Sequence, residues 1–356
     1  MTVFGTFDPS IVSQKSTQIG GKVAAPTTTT VNQTYLRNNS QGTSQVSFKG
    51  EEDLGGGLKA MFLIENDFHA GQAISSSNLF SGGGGELYLG VSGEMGTVKL
   101  GAANTPSLYA QLSANPFGTK IGSGFGVQNT ARVRTNNSIV YNSPSFSGFK
   151  VDVALASALK DDANVTKYTA AGSVTDIGLS YANGPLAAGV SVWKTGAYTV
   201  AGTPAVARDE TKFINGTPAV DALNVTENKQ TNFYITYDLG VAKLGVGYYT
   251  EKQDRTAASA ADVTANKAVA MLDSKASNVS ISVPMGAVTI MANYMSKDVT
   301  TEAGNLDAKV SGVGVKYALS KRTSLYGRYV NESYTNALIG GNSSVKTTLV
   351  GLQHNF

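Results

Sequence analysis

Side chains of alternating character recur along this chain with a period of two, and that period decides which folds are open to it. Val3, Phe7 and Ile11 alternate with Thr6, Asp8 and Ser10. Near the other end, Thr348, Val350, Leu352, His354 and Phe356 share one face while Gln353 and Asn355 share the other. Between them run Phe149-Val151-Val153-Leu155, Ile177-Leu179-Tyr181, Phe233-Ile235-Tyr237-Leu239, Leu244-Val246-Tyr248, Val279-Ile281-Val283, Val288-Ile290-Ala292-Tyr294, Val313-Val315-Tyr317-Leu319 and Leu325-Gly327-Tyr329. Successive side chains of a strand point to opposite faces, so these segments are strands with one apolar face and one small or polar face. The longest unbroken apolar runs, Ala60 to Ile64 and Ala268 to Leu272, fall far short of the roughly 18 residues that a membrane-spanning helix needs.

Turn signals divide the strands unevenly. Short breaks stand at Gly55-Gly56-Gly57, Glu94-Met95-Gly96, Ser143-Pro144, Gly184-Pro185, Pro284-Met285-Gly286 and Ser320-Lys321-Arg322. Long polar stretches, expected as loops, cover about 13–43, 69–84, 104–131, 160–172, 195–230 and 252–275. Short turns alternating with long loops describe an up-and-down barrel. The count gives sixteen strands over residues 1–356, read as one domain. In lipid every backbone polar group must be satisfied within the protein, so a spanning sheet closes on itself, and at sixteen strands it encloses an aqueous channel. A soluble sandwich or solenoid also alternates. It does not account for Tyr141, Tyr181, Tyr237, Tyr248, Tyr294, Tyr317 and Tyr329, which stand near strand ends in the apolar phase, as an interfacial girdle does.

Composition removes other classes. Cysteine is absent, so there is no disulfide framework and no thiolate metal site. A net charge of +3, scattered, gives no footprint for nucleic acid. The chain enters an alternating segment directly after Met1, as expected of one whose leader has been removed.

Several motifs carry a resemblance. Phe48-Lys49-Gly50-Glu51-Glu52-Asp53-Leu54-Gly55-Gly56-Gly57-Leu58-Lys59-Ala60 resembles the second hairpin of Gram-negative general porins, most closely the β-proteobacterial branch. Leu87-Tyr88-Leu89-Gly90-Val91-Ser92-Gly93 with Gly96-Thr97-Val98-Lys99-Leu100-Gly101 fits the next hairpin. Asn137-Ser138-Ile139-Val140-Tyr141-Asn142-Ser143-Pro144 with Gly148-Phe149, and the closing Val350-Gly351-Leu352-Gln353-His354-Asn355-Phe356, follow in order. The resemblance implies a homotrimer of 16-stranded antiparallel barrels in the outer membrane, in contact with lipid and lipopolysaccharide. It implies short periplasmic turns, long extracellular loops and a third loop folded inward. It also implies that Phe356 is read by the insertion machinery. No cofactor or metal is expected. One departure stands out: cation-preferring members carry acids on the third loop, and this chain has none there.

That third loop, about 104–134, bears on selectivity. From Met95 to Val151 the chain carries Lys99, Lys120, Arg132, Arg134 and Lys150 and neither Asp nor Glu. A constriction built from it favours anions, since cations at a narrow, low-dielectric passage focus a positive field on a passing ion. Ile139 and Tyr141 face lipid, so Arg132 and Arg134, of opposite phase, face the lumen if extended. Lys99 and Lys49 read the same way, and Lys59 does so less clearly because Met61 and Leu63 share its face. The alternative is that these cations pair with Asp8, Glu51, Glu65 or Asp67 and leave no net field. Lys15, Lys22 and Arg37 extend the basic reading into the first loop, as a funnel for small anionic solutes. Pro116-Phe117-Gly118 resembles the tight turn at the constriction tip, and Gly122, Gly124 and Gly126 let the loop lie close to the wall.

A substrate-selective porin for organic acids or phosphate-like anions fits the same residues, with Tyr109, Phe117 and Phe125 as a sliding surface. An outer-membrane enzyme fits poorly, because His69 and His354 are the only histidines and no Gly-x-Ser-x-Gly elbow accompanies them. An adhesin would need a plug or passenger domain for which this length leaves no room.

Overall fold

Valine, isoleucine, threonine and tyrosine at every second position give strands almost wherever the alternation runs. The computed structural model describes residues 1–20, 27–71, 84–125, 133–156, 173–196, 198–200, 223–257, 272–301, 304–336 and 341–356. Strands β1 (Thr2–Phe7) and β2 (Pro9–Gly20) form one wall strand bent at Asp8. Strands β3 (Thr27–Asn38) and β4 (Gln45–Gly55) form the next, interrupted at 39–44: β3 pairs with β2 from Pro9↔Asn38, and β4 pairs with β1 in the same sense from Thr6↔Gln45. Then come β5 (Leu58–Asp67), β6 (Leu87–Gly93), β7 (Gly96–Ala102), β8 (Ser138–Asn142), β9 (Phe149–Ala156), β10 (Val174–Asn183) and β11 (Leu186–Thr195). The short β12 (Tyr198–Val200) extends β11 along the top of β13 (Leu223–Asp238). The last six are β14 (Lys243–Ala257), β15 (Leu272–Met285), β16 (Val288–Thr301), β17 (Gly304–Ala318), β18 (Thr323–Asn336) and β19 (Gly341–Asn355). Nineteen segments less three continuations make sixteen wall strands. Every pairing is antiparallel, and the sheet closes where β19 meets β2 from Asn342↔Ile19 to Gly351↔Ser10 and meets β1 at Thr6↔Asn355.

The expected faces are observed. Ile11, Leu89, Leu100, Ile177, Ile281 and Val350 are exposed on the outer wall, where a barrel in lipid carries its apolar band. The outward tyrosines fall in two tiers. Tyr141, Tyr181, Tyr237 and Tyr317 lie beside the short turns, and Tyr248, Tyr294 and Tyr329 lie several residues higher. The turn at Gly55, Gly56 and Gly57 takes φ of 81°, 61° and 82°, a left-handed path open to glycine without strain.

The loop bounds need correction. Residues 13–20, 27–38, 195, 198–200, 223–230, 252–257 and 272–275, expected within loops, are strand. They escape the pattern because both faces there meet polar surroundings, so a strand can form without any alternation in hydropathy.

Candidate functional site

Between β7 and β8, the segment 103–125 turns into the barrel and follows the inner wall past β10 to β18. It starts with helix α1 (Pro106–Ser113), capped by Thr105, whose side chain accepts from Leu108 N, and opened by Pro106 in the first turn. Ser107 anchors the helix: its N–H and hydroxyl donate to the Asp176 carboxylate on β10, each at 2.8 Å, and its Oγ lies 3.1 Å from Ser191 Oγ on β11. Gly178 makes room, since a Cβ there would stand 2.8 Å from Pro106 Cβ. Further along, Gln111 donates to Asn232 on β13 (3.1 Å), and Asn278 Nδ2 and Ser280 Oγ on β15 donate to Ala114 O at 3.0 and 2.7 Å.

Residues 115–123 form a compact turn. Asn115 donates to Ser123 O at 2.7 Å and accepts from Phe117 N at 3.1 Å, and Gly118 takes φ 59°. Phe117 faces the wall, 2% exposed, over the space left by Gly312 and Gly314 on β17. The Arg328 guanidinium on β18 stacks 4.5 Å from its ring, donates to Ile121 O at 2.6 Å and reaches Gln41. Asn293 on β16 donates to Gly122 O and Ser123 O. Beneath this turn lies an apolar cluster on the lumen face: Val12, Met295, Val310, Val330 and Leu349 around Ile121. Pro116-Phe117-Gly118 is therefore a turn, but its phenyl ring is an anchor rather than a tip that meets solute. Gly122 and Gly124 lie against Val330 and Met295 with positive φ, and Gly126 lies outside the described residues.

The break at 39–44 supplies the other side of the latch. Asp8 Oδ2 accepts from Gln41 N and Gly42 N at 2.7 and 2.9 Å, and its Oδ1 accepts from Tyr326 OH at 2.5 Å. Lys120 Nζ donates to Thr43 Oγ1 at 2.6 Å. Burial pulls the Lys120 ammonium down to about 8; Asp67 and Asp8 oppose that shift, and Arg37 and Arg328 add to it.

Facing this rim is the wall from β4 to β8. Lys99 points inward with Nζ 4.9 Å from the Tyr88 ring, and Lys49 is exposed over Phe4 at 5.3 Å. Arg134 Nη1 donates to Asn104 Oδ1 at 2.8 Å, while Arg132 lies outside the described residues. Lys59 has a partner: its Nζ stands 2.6 Å from Glu51 Oε1. Tyr109 is 46% exposed toward the lumen.

The structure places Lys99, Lys120 and Arg134 among neighbours of which Arg328 and Glu86 were not expected from sequence. Arg328 and Arg37, buried on the inner face, join Lys120 and Asp8 at the latch. Acids distant in sequence come close: Asp67 interacts electrostatically with Arg134 and Lys120, and Glu86 with Lys99 and Arg134. Glu86 accepts from Asn104 N at 2.8 Å, and burial holds its carboxyl above the ordinary carboxylate range despite that bond. The loop is free of acid, but its surroundings are not. Lys15 is also corrected: it faces out of the barrel on β2, so it lines no funnel, whereas Arg37 faces in and Lys22 lies outside the described residues. His69 is exposed, and His354 Nδ1 lies 2.9 Å from Thr323 Oγ1 on the outer face.

The sequence pattern of a family described as Gram-negative porin matches residues 1–337. An outer membrane porin protein of Bordetella pertussis is 28% identical over 350 residues, covering 90% of this chain and 84% of that one. Outer membrane porin protein 32 of Delftia acidovorans is 27% identical over 305 residues, covering 82% and 75%. Among solved structures, an anion-selective porin from Comamonas acidovorans superposes with a TM-score of 0.70 at 22% identity, covering 99% of this chain and all of that one. The trimer form of OmpT from Vibrio cholerae gives 0.62 at 14% identity, covering 98% and 99%.

Proposed function

The chain belongs to the Gram-negative porin family and is a channel of the outer membrane, not an enzyme; from that premise we propose that it passes small hydrophilic solutes with a preference for anions, as a homotrimer. One observation carries the preference. The third loop holds Lys120, Arg132 and Arg134 and no carboxylate, while Asp8 and Glu65 on the wall are held by fixed donors. Asp8 is held by two backbone N–H groups and a phenol, and Glu65 accepts from Gln45 and from Glu86 N. A carboxylate tied to fixed donors on the wall has part of its field met by those donors, whereas cations on a loop that carries no acid leave a net positive field at the passage. The description of the Comamonas neighbour as anion-selective supports this reading. Outer-membrane lipid, lipopolysaccharide and anionic solutes are the partners it calls for.

The test is the reversal potential of the purified protein in a planar bilayer under a salt gradient. An anion-favouring potential is expected, moving toward zero in Arg132→Gln/Arg134→Gln with conductance retained. A cation-favouring potential in the unaltered protein would overturn the preference and assign the lumen field to Glu65, Asp67 and Glu86.

A further inference from the structure

The outer wall carries a pair of like charges that no ion pair offsets among the described residues. Lys15 on β2 and Lys346 on β19 are directly opposed in register, and both are exposed on the outward face. Directly opposed residues on adjacent antiparallel strands hold their Cβ atoms about 5 Å apart, and like charges so placed repel. Such pairs are normally relieved by an acid on a neighbouring strand. Here none is available. No Asp or Glu occurs between Asp8 and Glu51 or after Glu332, so β2, β3, β19 and the segments joining them carry no acid at all. On β18, Glu332 faces inward and is buried. The contrast is Lys194 on β11, also outward, which has Glu227 at 2.9 Å.

The surroundings of the pair are those of an anion site. Ser13, Lys15, Asn32, Thr34, Lys346 and Thr348 line a shallow cleft of about 300 Å³, so hydroxyl and amide donors flank the two ammonium groups. The height is equally specific. The row Val350–Ile11–Leu36 is apolar and exposed, Thr348–Ser13–Thr34 is the next outward row, and Lys346–Lys15–Asn32 the one after. Four residues of a strand tilted by about 45° rise roughly 9 Å, which carries the lysines from the hydrocarbon edge to the headgroup layer.

We infer that this cleft binds the phosphate of a membrane lipid headgroup at the loop end of the barrel. The inference deepens the proposed function, resting on its placement in the outer membrane and on its lipid partners, and names the site. A phosphate between Lys15 and Lys346 converts their repulsion into two charge-assisted contacts, with the flanking hydroxyls as further donors.

Native mass spectrometry of the purified protein in detergent tests it, with phosphatidylglycerol and phosphatidylcholine as probes. The unaltered protein retains phosphatidylglycerol in preference to phosphatidylcholine. Lys15→Gln/Lys346→Gln weakens that retention by about fivefold for each lysine removed. Lys15→Arg/Lys346→Arg keeps it, and so does Lys194→Gln, whose lysine already has an acid. Lipopolysaccharide added as competitor separates two sources of the same phosphate: displacement assigns the cleft to lipopolysaccharide and retention assigns it to phospholipid. Equal retention by the double glutamine variant would overturn the inference. So would a variant whose oligomer falls apart while lipid retention is unchanged, since the lysines would then face a second copy. Both lysines point away from the lumen, so the variant conducts as before; absence of conductance in the unaltered protein would instead strike at the channel itself.

Discussion

Lys120 sits where a lysine holds its proton least easily, at the crowded latch between the third loop and the 39–44 break. Its ammonium, pulled down to about 8 chiefly by burial, titrates well below the ordinary lysine range. Two consequences follow with opposite signs. Raising the pH through about 8 removes a positive charge from the rim, so the anion preference falls between pH 7 and 9 instead of holding until 10. Above about 8 the folded chain binds fewer protons than the unfolded one, so stability rises with pH; the cost of burying the charge is present in full below 8 and is relieved progressively up to the ordinary lysine value of 10.5. Reversal potentials measured from pH 6 to 10 check the first, with Lys120→Gln expected to give a flat profile across that step. Thermal unfolding over the same series checks the second.

At the scale of elements, the third loop is held chiefly by polar groups on the inner wall, and its anchor at α1 is the most exacting of them. Asp176, on β10 and fully buried, meets Ser107 twice. Asp176→Ala leaves the Ser107 N–H and hydroxyl without that acceptor, at a cost of about 1–3 kcal/mol. The expected result is a lower melting temperature together with a larger, noisier single-channel conductance as α1 leaves the wall. A melting shift with unchanged conductance would mean that the attachments at Asn278, Asn293 and Arg328 position the loop without it.

The same loop shows where sequence was readable. The period of two placed the outward faces, because lipid demands an apolar residue at every second position. It also exposed the short turns, where glycine and proline mark the chain reversals. The lumen face carried less information. Val12, Met295, Val310, Val330 and Leu349 face inward because the loop covers them, and an inward apolar residue cannot be told from an outward one until the cover is known. Glu86 and Arg328 escaped for a related reason: they join the site only through closure of the sheet, which brings residue 8 beside residue 326, while Asp8 and Asp67 were legible as candidate partners but not in their positions. Charge counted along the chain recorded the acid-free loop and offered Asp8, Glu65 and Asp67 as partners, but could not say which acids closure sets beside which cation.

For the whole molecule, the height of the wall is uneven, and that bears on assembly. Strands β6, β7 and β8 have 7, 7 and 5 residues, while β13 to β19 have 14 to 16. At about 3.3 Å per residue and a tilt of about 45°, seven residues rise roughly 16 Å and fourteen roughly 33 Å. An apolar band of about 25 Å is spanned by the tall sector and not by the low one. Among the described residues, the regularly paired wall there is shorter than the hydrocarbon band, which lipid alone suits poorly. Yet the low sector is apolar outside, with Leu87, Leu89, Leu100 and Ile139 exposed. A second copy of the chain satisfies both conditions, so the low sector is where the proposed trimer packs. Leu89→Arg therefore places a charge between subunits, and the detergent-solubilised protein is expected to run as monomer in size exclusion with its strand content intact. Ile281→Arg, on the tall sector, places the same charge in lipid, so it costs about 2–4 kcal/mol in insertion and leaves the oligomer size unchanged. If Leu89→Arg keeps the trimer and impairs insertion as Ile281→Arg does, the low sector faces lipid, and the membrane must thin by about 9 Å around it.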